Sequence, residues 1–132
     1  MSKNIIHTPK APLPIGPYSQ AVHTGNMLFV SGQIAIDPTT NELISGDVKA
    51  EAEQVMKNLE QLLAAAGYGF EHVVKTSIFL RDMADFAIIN EVYGSYFSGN
   101  FPARETVAVL GLPKNVNVEI SIIAVRGWKK AV

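Results

Sequence analysis

No cysteine occurs among the 132 residues of this chain. Disulfides, thiolate nucleophiles and thiolate-bound metals are excluded together, and a reducing compartment suits such a sequence. Charge is also scarce. Asp, Glu, Lys and Arg make up 17% of the chain against 48% hydrophobic residues, the balance of a sequence that folds on a core. Neither sign dominates, because 11 Lys plus Arg face 12 Asp plus Glu, so no basic footprint favours a nucleic-acid partner or an anionic membrane. No apolar stretch reaches spanning length. The opening M-S-K-N-I-I-H-T-P-K-A-P has neither an apolar signal core nor an Arg-rich amphipathic pattern. The expectation is one soluble, cytoplasmic domain over residues 1–132.

Several chemistries are missing as well. His7, His23 and His72 are too dispersed for metal-ligand spacing and are expected at the surface or in packing roles. The stretch G-Y-G-F-E-H (67–72) follows a helical pattern instead of opening one, and it lacks a third glycine and a phosphate-binding lysine. Ser95 and Ser98 stand outside any G-x-S-x-G. No metal, no cofactor and no covalent nucleophile are expected.

What is present reads as an α+β domain. Prolines at 9, 12, 14 and 17 make the first seventeen residues an extended or turning lead-in. S-Q-A-V-H and M-L-F-V-S flank T-G-N (24–26) as a hairpin. G-Q-I-A-I (32–36) extends its second strand or starts a third, and D-P-T-T-N-E (37–42) reads as a loop. Asp47 stands at an N-cap position before Val48, Ala52, Val55, Met56, Leu59, Leu62, Leu63 and Ala66, which recur at helical spacing up to Gly67. V-V-K-T-S-I-F-L (73–80) reads as a strand, a second helix runs from about Asp85 to Phe97, and two strands follow near 104–110 and 116–126. In the last strand Val118, Ile120, Ile122 and Ala124 share one face, while Ile123 and Val125 join Glu119 and Ser121 on the other. Two helices cover only one face of such a sheet. The uncovered face predicts a homo-oligomer with open sheet faces packed together.

Two charges on these apolar strands invite a functional reading. Arg104, behind Pro102 in N-F-P-A-R, presents a planar fork that matches a carboxylate. Its bland role is an arginine whose stem covers apolar surface while its head stays in water. Glu119, between Val118 and Ile120, has to be paired, protonated or facing a wet pocket, since burying it unpaired costs several kcal/mol, on the order of a whole buried pair. A plain Arg104–Glu119 ion pair, within or between chains, accounts for both. Tyr18 and Asn90 are polar neighbours whose direction the sequence leaves open.

The segments I-G-P-Y-S-Q-A (15–21), V-S-G-Q-I (30–34), V-V-K-T-S-I-F-L-R-D-M-A-D-F (73–86), N-E-V-Y-G-S-Y-F (90–97), N-F-P-A-R (100–104) and the closing L-P-K-x-x-x-V-E-I-x-x-I-A-V together resemble the RidA (formerly YjgF) family. The resemblance runs through the whole chain in order. It implies a chorismate-mutase-like fold, one mixed sheet with two helices on one face, assembled as a homotrimer whose sheets form a central barrel with clefts between subunits. It implies hydrolytic deamination of 2-imino acids such as 2-iminopropanoate and 2-iminobutanoate, which leak from pyridoxal-phosphate enzymes. Residue by residue, Arg104 matches the family's carboxylate-binding arginine and Glu119 the glutamate that holds or polarises water. Tyr18 matches a cleft hydroxyl, Ser31 and Gly32 the loop beside the substrate, and Asn90 a polar cleft residue. Thr106 lies where several members carry cysteine, at a contact made through the backbone. The alternatives within this resemblance are a non-catalytic keto- or amino-acid sensor, and a translation inhibitor with endoribonuclease activity.

Overall fold

Helix α1 (Val48–Ala65) forms where the apolar spacing predicts it. The Asp47 carboxylate accepts the Lys49 N–H at 3.0 Å and caps the start. Gly67, just beyond the end, adopts φ 78°, a turn that a side chain would resist. Val55, Met56, Leu59, Leu62 and Leu63 are buried to 1% exposure or less, and each contributes roughly 1.5–3 kcal/mol by leaving water. The computed structural model describes residues 2–127; of the domain expected over 1–132, Met1 and 128–132 lie outside the described residues.

The surface that receives α1 is a six-stranded sheet. Its strands are β1 (Asn4–Ile6), β2 (Ala21–Thr24), β3 (Met27–Gln33), β6 (Val73–Leu80), β7 (Ala103–Ala108) and β8 (Val118–Val125), in the spatial order β1-β2-β3-β8-β6-β7. Strands β4 (Ile36–Asp37) and β5 (Glu42–Leu43) form a separate small hairpin. All neighbours in the large sheet run antiparallel except β6 and β7. A parallel pair needs a crossover, and helix α2 (Phe86–Gly94) supplies it. Both helices lie on the face that carries Thr76, Ile78, Ile120 and Ile122, all buried to 3% exposure or less. The result is the expected α+β architecture: one mixed sheet, two helices on one side.

Four boundaries differ from the sequence reading. The lead-in contains β1, whose Asn4, Ile5 and Ile6 pair with His23, Val22 and Ala21. Residues 37–42 are not a plain loop, because Ile36 and Asp37 pair with Leu43 and Glu42 around Asn41, which sits at φ 62°. Helix α2 stops at Gly94, where Ser95 Oγ takes the Val92 carbonyl at 2.6 Å and competes with the next helical turn. Strand β8 starts at Val118, two residues late, because the Asn117 N–H donates to Glu51 Oε2 at 2.7 Å.

Buried polar side chains fasten the remaining segments. Glu51, 3% exposed, accepts from the N–H groups of Asn117 and Val118 and from Asn117 Nδ2. Asn58 donates to the carbonyls of Ile34 and Ile36 at 3.1 and 3.0 Å. Gln20 holds the proline-rich lead-in: it accepts the Thr8 N–H at 2.8 Å and donates to the carbonyls of Thr8, Ala11 and Pro12. No helix among the described residues is long and apolar enough to cross a membrane.

Candidate active site

Arg104 stands on β7, the outermost strand, directly opposite Thr76 of β6. Directly paired residues point to one side, so Arg104 is on the helix-covered face. Its guanidinium donates to Asn90 Oδ1 at 2.6 Å, and its Cζ lies 5.1 Å from the centre of the Tyr93 ring and 5.7 Å from that of Phe86. Phe86, Asn90 and Tyr93 recur at helical spacing on α2 and present one side to the arginine. Beyond them lies a cavity of about 370 Å³ lined by Asn90, Tyr93, Gly94, Phe101, Pro102 and Arg104.

Thr106 shares that face of β7, opposite Ile78, and its hydroxyl oxygen is buried without a hydrogen-bond partner. The Val109 N–H donates to the Leu80 carbonyl at 2.8 Å. By the alternation of a strand, the N–H groups of Thr106 and Ala108 therefore face the open edge. A ligand carboxylate held by Arg104 would find an unused donor there.

Glu119 lies on β8 opposite Phe79, and so on the face the helices leave open. It lines a cavity of about 330 Å³ together with Leu13, Ile15, Tyr18, Ser31, Gly32 and Ile34. Desolvation pushes its carboxyl above the ordinary 4.5. Strand β3 bulges between Val30 and Gln33, and Gly32 in that bulge passes so close to the carboxylate that a Cβ would sit 2.5 Å from Oε2. Any larger residue at 32 displaces Glu119. Ser31 fixes the bulge, with its hydroxyl donating to the Ser19 carbonyl at 2.6 Å and its N–H to the Gln20 carbonyl at 3.0 Å. The Tyr18 hydroxyl accepts the Ile15 N–H at 3.3 Å and stands at the mouth, 49% exposed.

The expected site residues thus fall into two groups. Tyr18, Ser31, Gly32 and Glu119 come together on the open face; Asn90, Arg104 and Thr106 come together across the sheet, at its edge. An Arg104–Glu119 ion pair within the chain is ruled out by this placement. Among the described residues the ion pair between Lys or Arg and a carboxylate is Lys75–Glu105 at 2.7 Å, and His72 Nδ1 lies 3.5 Å from a Glu71 carboxylate oxygen. His23, 3.0 Å from the Tyr68 hydroxyl, and His72, whose Nδ1 accepts the Gly69 N–H, serve local packing and line neither cavity. Sequence reading missed Gln20, which carries the lead-in wall of the open-face cavity, and gave Phe86 and Tyr93 no place at the site. Tyr93 had a signal, a hydroxyl in an otherwise apolar helix face; Gln20 had none.

Exposed apolar side chains border both groups. Phe101 is 63% exposed beside Arg104, and Leu13 and Ile15 are 55% and 64% exposed beside Glu119.

Residues 8–126 match the family model described as endoribonuclease L-PSP. Protein DfrA of Myxococcus xanthus is 56% identical over 127 residues, 95% of this chain and 97% of its own. The 2-iminobutanoate/2-iminopropanoate deaminase of Mus musculus is 48% identical over 125 residues, 95% of this chain and 93% of its own. The crystal structure of E. coli TdcF with bound serine superposes with a TM-score of 0.90 at 42% identity, covering 94% of this chain and 99% of that one.

Proposed function

Because this chain belongs to the RidA family, whose model carries the endoribonuclease L-PSP description, we propose that it is a hydrolase of C=N bonds that converts 2-imino acids such as 2-iminopropanoate and 2-iminobutanoate to 2-keto acids and ammonia. In the cell this removes reactive imines and enamines released by pyridoxal-phosphate enzymes. The observation that carries the reading is the split site: a forked cation on one face and a desolvated carboxylate on the other, neither in an ion pair among the described residues. Two copies of the chain complete it. In the proposed assembly the free edge of β7 docks against the open-face cavity of a second copy, so that Arg104 faces Glu119 and Phe101, Leu13 and Ile15 are covered together. Three copies arranged head to tail close the ring and cover the open sheet faces in a central barrel. The serine named in the TdcF structure, itself a 2-amino carboxylate, suits such a cleft.

The chemistry follows from the groups. Arg104 grips the substrate carboxylate with the Thr106 N–H beside it, and so fixes the imine carbon. Glu119 takes a proton from water as the oxygen bonds to that carbon and the C=N pair moves onto nitrogen. The same carboxyl returns the proton to the nitrogen to give the carbinolamine, then takes the hydroxyl proton and passes it to the amino group, so that the C–N bond breaks as C=O forms and the keto acid and ammonia leave. Imines hydrolyse readily, so a modest lowering of the barrier suffices.

A base has to be ionised to act. With its carboxyl raised above 4.5 by burial, Glu119 loses its charge as the pH falls through that raised value. We therefore expect kcat/KM to be flat at neutral pH and to decline on the acid side from a point above 4.5, not at it. Glu119→Gln is expected to lower the rate by about 100-fold and to abolish the acid limb. The measurement follows decay of 2-iminopropanoate generated in situ, across pH, with both proteins. No acceleration by the wild type would leave the cleft as a binding site without turnover.

A further inference from the structure

We propose that Tyr93 is a positioning residue for Arg104, a stacking platform that keeps the guanidinium fork aimed outward at the substrate carboxylate. This rests on the assignment of Arg104 as carboxylate anchor. The ring is held at both ends. Its hydroxyl is 2.9 Å from Oγ1 of Thr76, which is fully buried, and its ring centre is 4.9 Å from that of Phe97. The guanidinium carbon stands 5.1 Å from the ring centre, within the range of attraction between a cation and an aromatic face.

Thr76 and Arg104 are direct partners in the β6–β7 ladder. One cross-strand pair therefore supplies both the tether of the ring and the cation over it, and Tyr93 bridges the pair from α2. Asn90, one helical turn earlier, occupies an N–H of the guanidinium and leaves its remaining donors for a ligand. An arginine at the exposed end of an edge strand is otherwise free to swing through several rotamers. Ordering it before binding removes that entropic cost from the binding step. A lysine would keep the attraction to the ring but has neither a planar face to stack on it nor a fork for a carboxylate.

Binding of 2-oxobutanoate, measured by calorimetry alongside steady-state imine hydrolysis, tests the proposal on Tyr93→Leu, Tyr93→Phe, Thr76→Val and Arg104→Ala. Tyr93→Leu is expected to weaken 2-oxobutanoate binding and raise KM by about tenfold with kcat within about twofold of wild type. Tyr93→Phe keeps the ring and is expected to restore binding to within about threefold. Thr76→Val keeps the apolar packing, cuts only the tether, and is expected to weaken binding by about threefold; it carries the test should Tyr93→Leu not fold. Wild-type binding in both Tyr93→Leu and Thr76→Val, or in Thr76→Val alone where the leucine variant does not fold, would overturn the proposal. If Arg104→Ala also binds like wild type, the anchor assignment itself falls; if Arg104→Ala loses binding while the Tyr93 and Thr76 variants keep it, only the platform falls.

Discussion

Arg104→Ala is expected to lower kcat/KM for 2-iminopropanoate by two to three orders of magnitude while the protein stays folded and assembled. Two charge-assisted hydrogen bonds to a carboxylate are together worth about 3–4 kcal/mol, and each 1.4 kcal/mol is tenfold. The fold should tolerate the change because the residue is exposed on the edge strand and its truncation opens no core cavity. Arg104→Lys keeps the charge but loses the fork and the stacking on Tyr93, so at least a tenfold loss is expected there too. Initial rates at a series of imine concentrations, with assembly checked by sedimentation, decide it. Retained activity in Arg104→Ala would remove the arginine from the mechanism.

The largest effect on stability is expected at Glu51. Its carboxylate is buried and takes three hydrogen bonds from the start of β8, two of them from backbone N–H groups. Glu51→Ala removes all three and leaves the buried Val118 N–H without a partner, a loss of about 3–5 kcal/mol. Glu51→Gln is expected to cost less, because an amide oxygen in the place of Oε2 still accepts both backbone N–H groups and the Asn117 amide can turn its oxygen toward the new NH2. Urea midpoints at fixed chain concentration measure the loss. A difference below about 1 kcal/mol would show that water replaces the carboxylate at that point. Glu119 is the residue after Val118, so the same variant is also expected to slacken the catalytic carboxylate.

Much of this fold was legible in the residues, for physical reasons that differ by element. Helix α1 announces itself because cap, apolar stripe and stop glycine agree at three separate levels: Asp47, Val48 through Ala66, and Gly67. The alternation of β8 reads directly as one core face and one open face, which is what made Glu119 conspicuous. Strand β1 was hidden because three residues before a proline-rich stretch carry no periodicity; its place follows from pairing with β2, with the intervening lead-in held by Gln20, whose side chain reaches back eight to twelve residues. The β4–β5 hairpin was hidden for a similar reason, two residues a side being too short for any pattern.

The candidate residues were legible one by one, but their grouping was not. Which face Arg104 takes is set by its register against Thr76 in a parallel pair, and a shift of one residue would have turned it to the open side. That register is a tertiary outcome of α2 crossing over the sheet. It sets the two charges of an apparent ion pair on opposite faces of the sheet, the arrangement on which the proposed two-copy cleft and the proposed role of Tyr93 both rest.

The halves can be tested directly against each other. Arg104→Ala and Glu119→Gln chains, each inactive alone, can be co-produced in equal amounts under separate tags and purified as mixed assemblies. With Arg104 drawn from one copy and Glu119 from its neighbour, about one cleft in three of every mixed three-copy ring receives both native residues. The expected result is therefore about one third of wild-type imine hydrolysis per cleft. Activity no higher than that of the two single variants would mean that no cleft is built across two copies, and would contradict the account.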